Sequence, residues 1–192
     1  MMAKAKLPTE EYGLFDFLVF KSNMDNKTQV VLQSKKVNKN APLVRLHSRC
    51  LTGDTFRSLR CDCGNQLDKS LKMIAKQGGT LIYLDQEGRD IGLINKIKAY
   101  HLQDGKMDTV EANVALGLPV DARDYGIAAA ILKKMKITKI QLLTNNPEKV
   151  SQLINDGIQV VKTIPLEIKP NKYNRNYLKT KKIKMGHILK LV

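Results

Sequence analysis

The chain has 192 residues, 43% of them apolar, which is enough for a packed core and excludes a disordered or collagen-like polymer. With 33 Lys and Arg against 18 Asp and Glu the formal charge is +15, which a generally lysine-rich surface explains for the most part and a phosphate-bearing small molecule for the rest; aromatics are only 5% and no run interleaves rings with basic residues as a base-stacking surface would. No apolar run reaches the length of a membrane span, and Met1 to Glu10 lacks the apolar stretch of a signal peptide, so a reducing cytoplasm is the expected location.

The N-terminal part reads as strands. Leu14–Phe20, Gln29–Leu32 and Leu43–Leu46 are short, rich in Val, Leu and Phe, and separated by polar turns. From Gly64 the period changes, and Leu67, Leu71, Ile74 and Ala75 share one face of a helix that ends at Gly78-Gly79. Thr80–Leu84 is a buried strand that opens into the charged loop Asp85–Asp90. Ile91–Leu102 is predicted to be helical. Asp108 followed by Glu111 has the pattern of a capping box that starts a short helix through Leu116. Gly126–Met135 is the next helix, with Ile127, Ile131, Leu132 and Met135 at helical spacing. Ile140–Leu143 is a strand, and Pro147 suits the first position of the helix carrying Val150, Leu153 and Ile154. Ile158–Val161 closes the pattern as a strand.

Strands alternating with helices predict an α/β fold, with a mixed sheet flanked by helices and its N-terminal part largely antiparallel. Residues 1–168 are expected to form one domain. Residues 169–192 are expected to be a basic, mobile tail, because Lys169 to Lys184 holds seven Lys or Arg and no acid.

All three cysteines lie in one window, Cys50 to Cys63, at spacing C-x10-C-x-C. Three thiolates match a zinc site with one position open for water, which zinc makes acidic enough to supply hydroxide at neutral pH. His47 is close in sequence and could close the site as a structural Cys3His centre. Spacing does not separate these two readings. A disulfide is weaker, because an odd count leaves one thiol over.

Three polar loops accompany the cysteines. In Gln86-Glu87-Gly88-Arg89, glycine allows close backbone approach, arginine clamps anions, and a carboxylate can accept two N–H bonds from a guanine-like edge. An ordinary ion pair from Glu87 is the alternative. Thr144-Asn145-Asn146 with Lys149 sits at a helix start, suited either to phosphate or to plain capping by Asn146. Asp121 and Arg123 either cap the next helix or pair a general base with a phosphate-directed cation. A different class remains beside these: a zinc-stabilised basic module that binds RNA. It requires a fourth ligand and exposed aromatics, and the sequence supplies neither convincingly.

The runs His47–Asp54, Leu59–Gly64, Gln86–Arg89, Gly92-Leu93, Asn95-Lys96, Asp108–Asn113 and Leu143–Pro147 together closely resemble GTP cyclohydrolase II, from about Arg45 through the Lys184-Met-Gly-His187 motif. The resemblance implies that GTP is converted to formate, pyrophosphate and 2,5-diamino-6-ribosylamino-4(3H)-pyrimidinone 5′-phosphate, the first committed step of riboflavin biosynthesis. It implies Cys50, Cys61 and Cys63 as ligands of one catalytic Zn2+, and Mg2+ on the GTP triphosphate. Arg45, Leu46, His47, Ser48, Arg49, Gln66, Glu87, Gly88, Arg89, Thr109, Thr144 and Lys149 match GTP-contacting positions. Asp121 matches a proton acceptor, Tyr100 a residue beside the reacting ring, and Arg123 a residue assigned as nucleophile on the α-phosphorus. A guanidinium stays protonated and has no electron pair to attack with, so stabilising charge at that phosphate is the physical alternative. A homodimer acting on a small molecule in the cytoplasm, without nucleic-acid or membrane partners, is expected, as is the monofunctional form. Arg49, commonly glutamate in the family, and Asp85, commonly arginine, depart from its pattern with changes of opposite sign.

Overall fold

Near-continuous apolar runs in the central strands give this sheet two buried faces. The computed structural model describes residues 1–192 apart from 23, 24, 37 and 39. In chain order the elements are β1 (Ala3–Thr9), β2 (Gly13–Lys21), β3 (Thr28–Ser34), β4 (Leu43–Ser48), α1 (Leu51–Asp54), α2 (Cys63–Gln77) and β5 (Gly79–Leu84). They continue as α3 (Gly92–Asp104), α4 (Thr109–Ala115), α5 (Gly126–Lys134), β6 (Lys139–Leu143), α6 (Pro147–Asn155), β7 (Gln159–Ile164) and α7 (Arg175–Lys184). The chain divides into two units.

The first unit, Met1–His47, Leu67–Asp85 and Asp124–Leu166, contains the sheet, ordered β1-β2-β3-β5-β4-β6-β7. The pairs β1-β2, β2-β3 and β3-β5 are antiparallel, whereas β4-β6 and β6-β7 are parallel. This is the mixed α/β sheet with an antiparallel N-terminal part that the pattern predicts. Because successive residues point to opposite faces, Val44, Ile82, Leu84 and Leu142 pack with Ala128 and Leu132 of α5 and Leu153 of α6. Their neighbours Leu43, Leu81 and Leu143 turn to the other face, against Leu71 and Ile74 of α2. Truncating any of these fully buried Leu or Ile residues to Ala costs about 2–5 kcal/mol.

Two differences from the predicted elements occur in the sheet. β1 alternates Ala3, Ala5 and Leu7 with lysines but is almost wholly exposed, so its backbone pairing with β2 and the ion pairs of Lys4 and Lys6 with Asp16 define it. β7 runs on to Ile164 through the exposed Lys162 and Thr163, because ladder bonds to β6 carry it past its apolar residues.

The second unit, Ser48–Gln66, Gln86–Arg123 and Glu167–Val192, is helical. α4 starts with the predicted capping box: Asp108 Oδ1 accepts from the Val110 and Glu111 amides at 2.8 and 3.1 Å, and the Glu111 carboxylate accepts from Asp108 N at 2.9 Å. α7 has no counterpart among the predicted elements. The basic residues of 169–184 hide its apolar signal, which rests on the buried Leu178, while Lys184 forms ion pairs with Asp108 and Glu111 of the α4 cap. No helix among the described residues is long and apolar enough to cross a membrane.

Candidate active site and metal centre

The cysteine cluster is built from short backbone pieces of the second unit. Cys50 caps α1, where its amide donates to Asp54 Oδ2 at 3.0 Å and the Asp54 amide returns to Cys50 O at 2.7 Å. Cys63 opens α2, and Cys61 precedes it by two residues. Glycine at position 53 is what lets the sulfurs converge. A Cβ there would lie 2.8 Å from Cys61 Sγ and 3.1 Å from Cys50 Sγ.

The three sulfurs all lie within 4.8 Å of one another, and Cys50 and Cys61 are separated by 3.8 Å. Sulfurs held at about 2.3 Å by a tetrahedral zinc sit about 3.8 Å apart, so the spacing fits that ion. Among the described residues the ligand group consists of these cysteines and includes no histidine. His47, in the first unit, stacks on Tyr83 with ring centroids 5.5 Å apart.

The thiols differ in acidity. Hydrogen bonds from Cys61 and Cys63, helped by the Lys96 cation, hold Cys50 far below the ordinary thiol range despite its burial. Cys61 is pushed up to about 11, foremost by its hydrogen bond to Cys50, and Cys63 is also pushed well up by its bonds to both partners and by burial. A thiolate with two thiols beside it is a donor set that a soft divalent cation satisfies.

Glu87 and Lys96 form the polar floor of this cluster. Glu87 Oε2 accepts from Leu51 N at 2.6 Å, while Oε1 accepts from Lys96 Nζ at 2.7 Å and Gly88 N at 3.0 Å. Lys96 Nζ also donates to Cys50 Sγ at 3.2 Å. Their side chains are 8% and 9% exposed, so this is a buried pair, not the surface ion pair weighed for Glu87. Burial opposes the charge on Lys96, but Cys50, Tyr100 and Glu87 outweigh it, and its pKa rises. Three of the roughly four acceptor sites of the Glu87 carboxylate are therefore taken within the protein.

The loop that follows is strained. Arg89 and Asp90, neither of them glycine, have φ of 63° and 72°, next to Gly88 at 63°. Arg89 Nη1 donates to Val120 O at 3.2 Å, and its buried Nη2 makes no hydrogen bond among the described residues. Asp121 accepts from the Arg123 amide at 3.2 Å and from Nε at 2.8 Å, and pairs with Nη2. Burial alone would raise the Asp121 carboxyl, but the hydrogen bonds and charge of Arg123 outweigh it and the pKa falls.

Tyr100 lies under the Arg60 guanidinium, 4.4 Å from its ring centroid, with its hydroxyl 3.5 Å from Thr52 Oγ1. Burial, against the pull of Lys96, raises its pKa, so the phenol stays neutral at ordinary pH. Ser48 donates to Gln86 Oε1 at 3.3 Å, Gln66 Nε2 donates to Asp62 Oδ2 at 2.6 Å, Thr109 opens α4, and Arg49 is exposed.

The remaining substrate candidates belong to the first unit. Arg45, Leu46 and His47 lie on β4, and Arg45 Nη1 donates to Leu143 O at 3.0 Å. Lys149 Nζ donates to Leu46 O at 2.9 Å and sits 5.1 Å from the Tyr125 ring centre. Thr144 Oγ1 accepts from Asn146 N at 3.0 Å, and Asn146 caps α6 by accepting from Glu148 N at 3.0 Å, which is the capping role weighed for it. Each unit thus gathers its own set. Gly53, Lys96 and Asp62 lie within the quoted motifs, yet sequence reasoning gave none of them a role in the site geometry they carry. The available signals were a glycine between cysteines, a lysine one helical turn before Tyr100, and an acid between two thiols.

A family model described as GTP cyclohydrolase II matches residues 1–165. The chain is 53% identical over 188 residues to the GTP cyclohydrolase-2 of Buchnera aphidicola subsp. Schizaphis graminum, an overlap of 97% of this chain and 95% of that protein. It is 51% identical to the GTP cyclohydrolase-2 of Buchnera aphidicola subsp. Acyrthosiphon pisum, over 98% of each chain. It is also 52% identical over 188 residues to the riboflavin biosynthesis protein RibBA of Chlorobium phaeovibrioides, and spans 46% of that relative, about half its length.

Proposed function

The chain belongs to the GTP cyclohydrolase II family, and from that premise we propose that it hydrolyses GTP to formate, pyrophosphate and 2,5-diamino-6-ribosylamino-4(3H)-pyrimidinone 5′-phosphate in riboflavin biosynthesis. The observation that carries this reading is the convergence of three cysteine sulfurs at the spacing zinc requires, in a chain that matches named GTP cyclohydrolases almost end to end. Cys50, Cys61 and Cys63 would hold the ion, which when bound supplies Lewis-acid activation of water for attack at C8 of guanine.

The roles of the other residues follow from their surroundings. Lys96 fixes Glu87 and offsets the charge of Cys50, keeping two anions in place at the metal centre. Glu87 keeps about one acceptor site for the guanine edge, so its main contribution is to brace Leu51 and Gly88. Arg89 offers a buried N–H that a phosphate or base oxygen can satisfy.

Asp121 is the proton acceptor in this reading, and its lowered pKa keeps it ionised at neutral pH. Arg123, gripped by that carboxylate, keeps its proton and acts by stabilising charge at the α-phosphate, not as a nucleophile. Tyr100 presents a neutral phenol beside the reacting ring. Arg45, Leu46, His47, Ser48, Arg49, Gln66, Gly88, Thr109, Thr144 and Lys149 complete the proposed GTP contacts, with Mg2+ accompanying the triphosphate. A cytoplasmic homodimer is part of the same reading.

The test is mass spectrometry of GTP incubated with reduced, zinc-loaded protein. Formate and pyrophosphate are expected in equal amounts with the ring-opened pyrimidine. Intact GTP at the end would overturn the assignment.

A further inference from the structure

The C-terminal segment beyond residue 165, where the family match stops, carries polar contacts to the loop that bears two of the three cysteines. Asp62 stands between Cys61 and Cys63 with its carboxylate 2% exposed. A buried carboxylate is tolerated only with partners, and among the described residues two side chains donate to this one. Gln66 Nε2 donates at 2.6 Å from the first turn of α2, and Lys181 Nζ of α7 donates at 3.2 Å.

Two further side chains of the segment hold the backbone of the same loop. Asn174, 1% exposed, donates through Nδ2 to Cys61 O at 3.4 Å and accepts from Asn171 N at 2.8 Å. Asn171 Nδ2 donates to Leu59 O at 3.2 Å. Positions 59, 61 and 62 are thus each held by a different residue of the segment. Asn174, just before α7, is followed at helical spacing by Leu178 and Lys181 within it, and Leu178 is 2% exposed between the two polar contacts.

The electrostatics point the same way. Three thiolates around a divalent cation leave one net negative charge, and Asp62 adds another beside it. Lys181 supplies the cation that lets this carboxylate stay buried next to such a centre.

We propose that Lys181 and Asn174 are positioning residues for the metal centre, and that the basic C-terminal helix is the outer support of the Cys61–Cys63 loop. The proposal rests on the reading that the three cysteines bind zinc. Residues that orient metal ligands from behind typically change affinity by about 10–100-fold when removed.

The experiment measures the zinc dissociation constant of the full chain by competition with a chromophoric chelator, and the rate at which Cys61 and Cys63 of the metal-free protein react with a thiol reagent. Lys181→Met and Asn174→Ala should each weaken zinc by about 10–100-fold and speed thiol modification. Lys181→Arg should recover most of the affinity. Lys182→Met, which removes the same charge from an exposed neighbour, should leave both readouts at the wild-type value. Circular dichroism establishes that each variant is folded, and Asn174→Ala decides the matter if Lys181→Met does not fold. Wild-type affinity in folded Lys181→Met and Asn174→Ala would overturn the proposal. A wild-type chain that binds no zinc through sulfur would instead overturn the metal reading. In that case the thiol rates alone decide, and unchanged rates in both variants would refute the support role.

Discussion

The buried pair of Glu87 and Lys96 gives the most quantitative prediction. In Lys96→Met the Glu87 carboxylate loses its only cation within 2.7 Å among the described residues while remaining less than one tenth exposed. Breaking a buried pair by removing one partner costs about 3–5 kcal/mol. The amides of Leu51 and Gly88 still donate to the carboxylate, which places the expected cost at the lower end, about 3 kcal/mol. Glu87→Gln should cost about 2 kcal/mol, because Lys96 keeps the Cys50 thiolate as a partner but an amide N–H₂ must now face a donor. The double variant removes both charges together, so its cost should fall about 2 kcal/mol short of the sum of the single variants. The assay is urea unfolding of reduced, metal-free protein followed by far-UV circular dichroism. At a slope of about 3 kcal/mol per molar urea, Lys96→Met should lower the midpoint by about 1 M. A cost below about 1 kcal/mol for Lys96→Met, or additivity of the two changes within about 0.5 kcal/mol, would refute the picture of a tightly coupled buried pair.

The remaining predictions concern catalysis and the metal. Glu87→Gln should lower kcat/KM for GTP by about tenfold or more, and an unchanged preference for GTP over ITP would place recognition of the base edge elsewhere. Asp121→Asn should reduce kcat by about 10²–10⁴ with little change in KM, whereas a raised KM with intact kcat would make Asp121 an orienting group. The Asp121 pKa is depressed, so its ionised form persists below the ordinary carboxyl value of about 3.9, and the stability it contributes is complete above that value and is lost as pH falls from there through the folded value. In Arg123→Met burial goes largely unopposed, so the acid limb of the rate profile attributable to Asp121 should move to higher pH; an unmoved limb would show that Arg123 does not set this pKa. Cys63→Ser should stop formate release while pyrophosphate and GMP still form, and Arg123→Ala should suppress pyrophosphate instead. Loss of both products in a folded, GTP-binding Cys63→Ser protein would show that the two steps are coupled through the metal. Gly53→Ala places a methyl 2.8 Å from Cys61 Sγ and should weaken zinc binding measured by chelator competition; unchanged affinity would mean the sulfurs have room to shift.

Residue pattern alone determined the features that arise from short stretches of chain. The apolar strands of the sheet, the helices from α2 to α6, the Asp108–Glu111 capping box and the three-cysteine spacing depend on neighbours within a few residues or on a compact motif. The edge strand β1 and the four-residue α1 were not legible, because backbone pairing defines the first and the cysteine loop the second. The helix α7 was hidden by its charge, since Lys181 reads as one more surface lysine until Asp62 is found beside it.

The occupancy of each charged group was a matter for tertiary structure. Glu87 in a Gln-Glu-Gly-Arg loop can equally face a guanine or a lysine, and only the fold brings Lys96 and Leu51 against its two oxygens. Likewise the sequence places Arg123 two residues from Asp121, and only the structure closes the guanidinium on that carboxylate. Thiols a few residues apart are constrained by local chain geometry to meet at one ion. A salt bridge between residues 62 and 181 depends on how the intervening chain folds, and burial then makes that pairing obligatory, because a charge withdrawn from water must find its partner inside the protein.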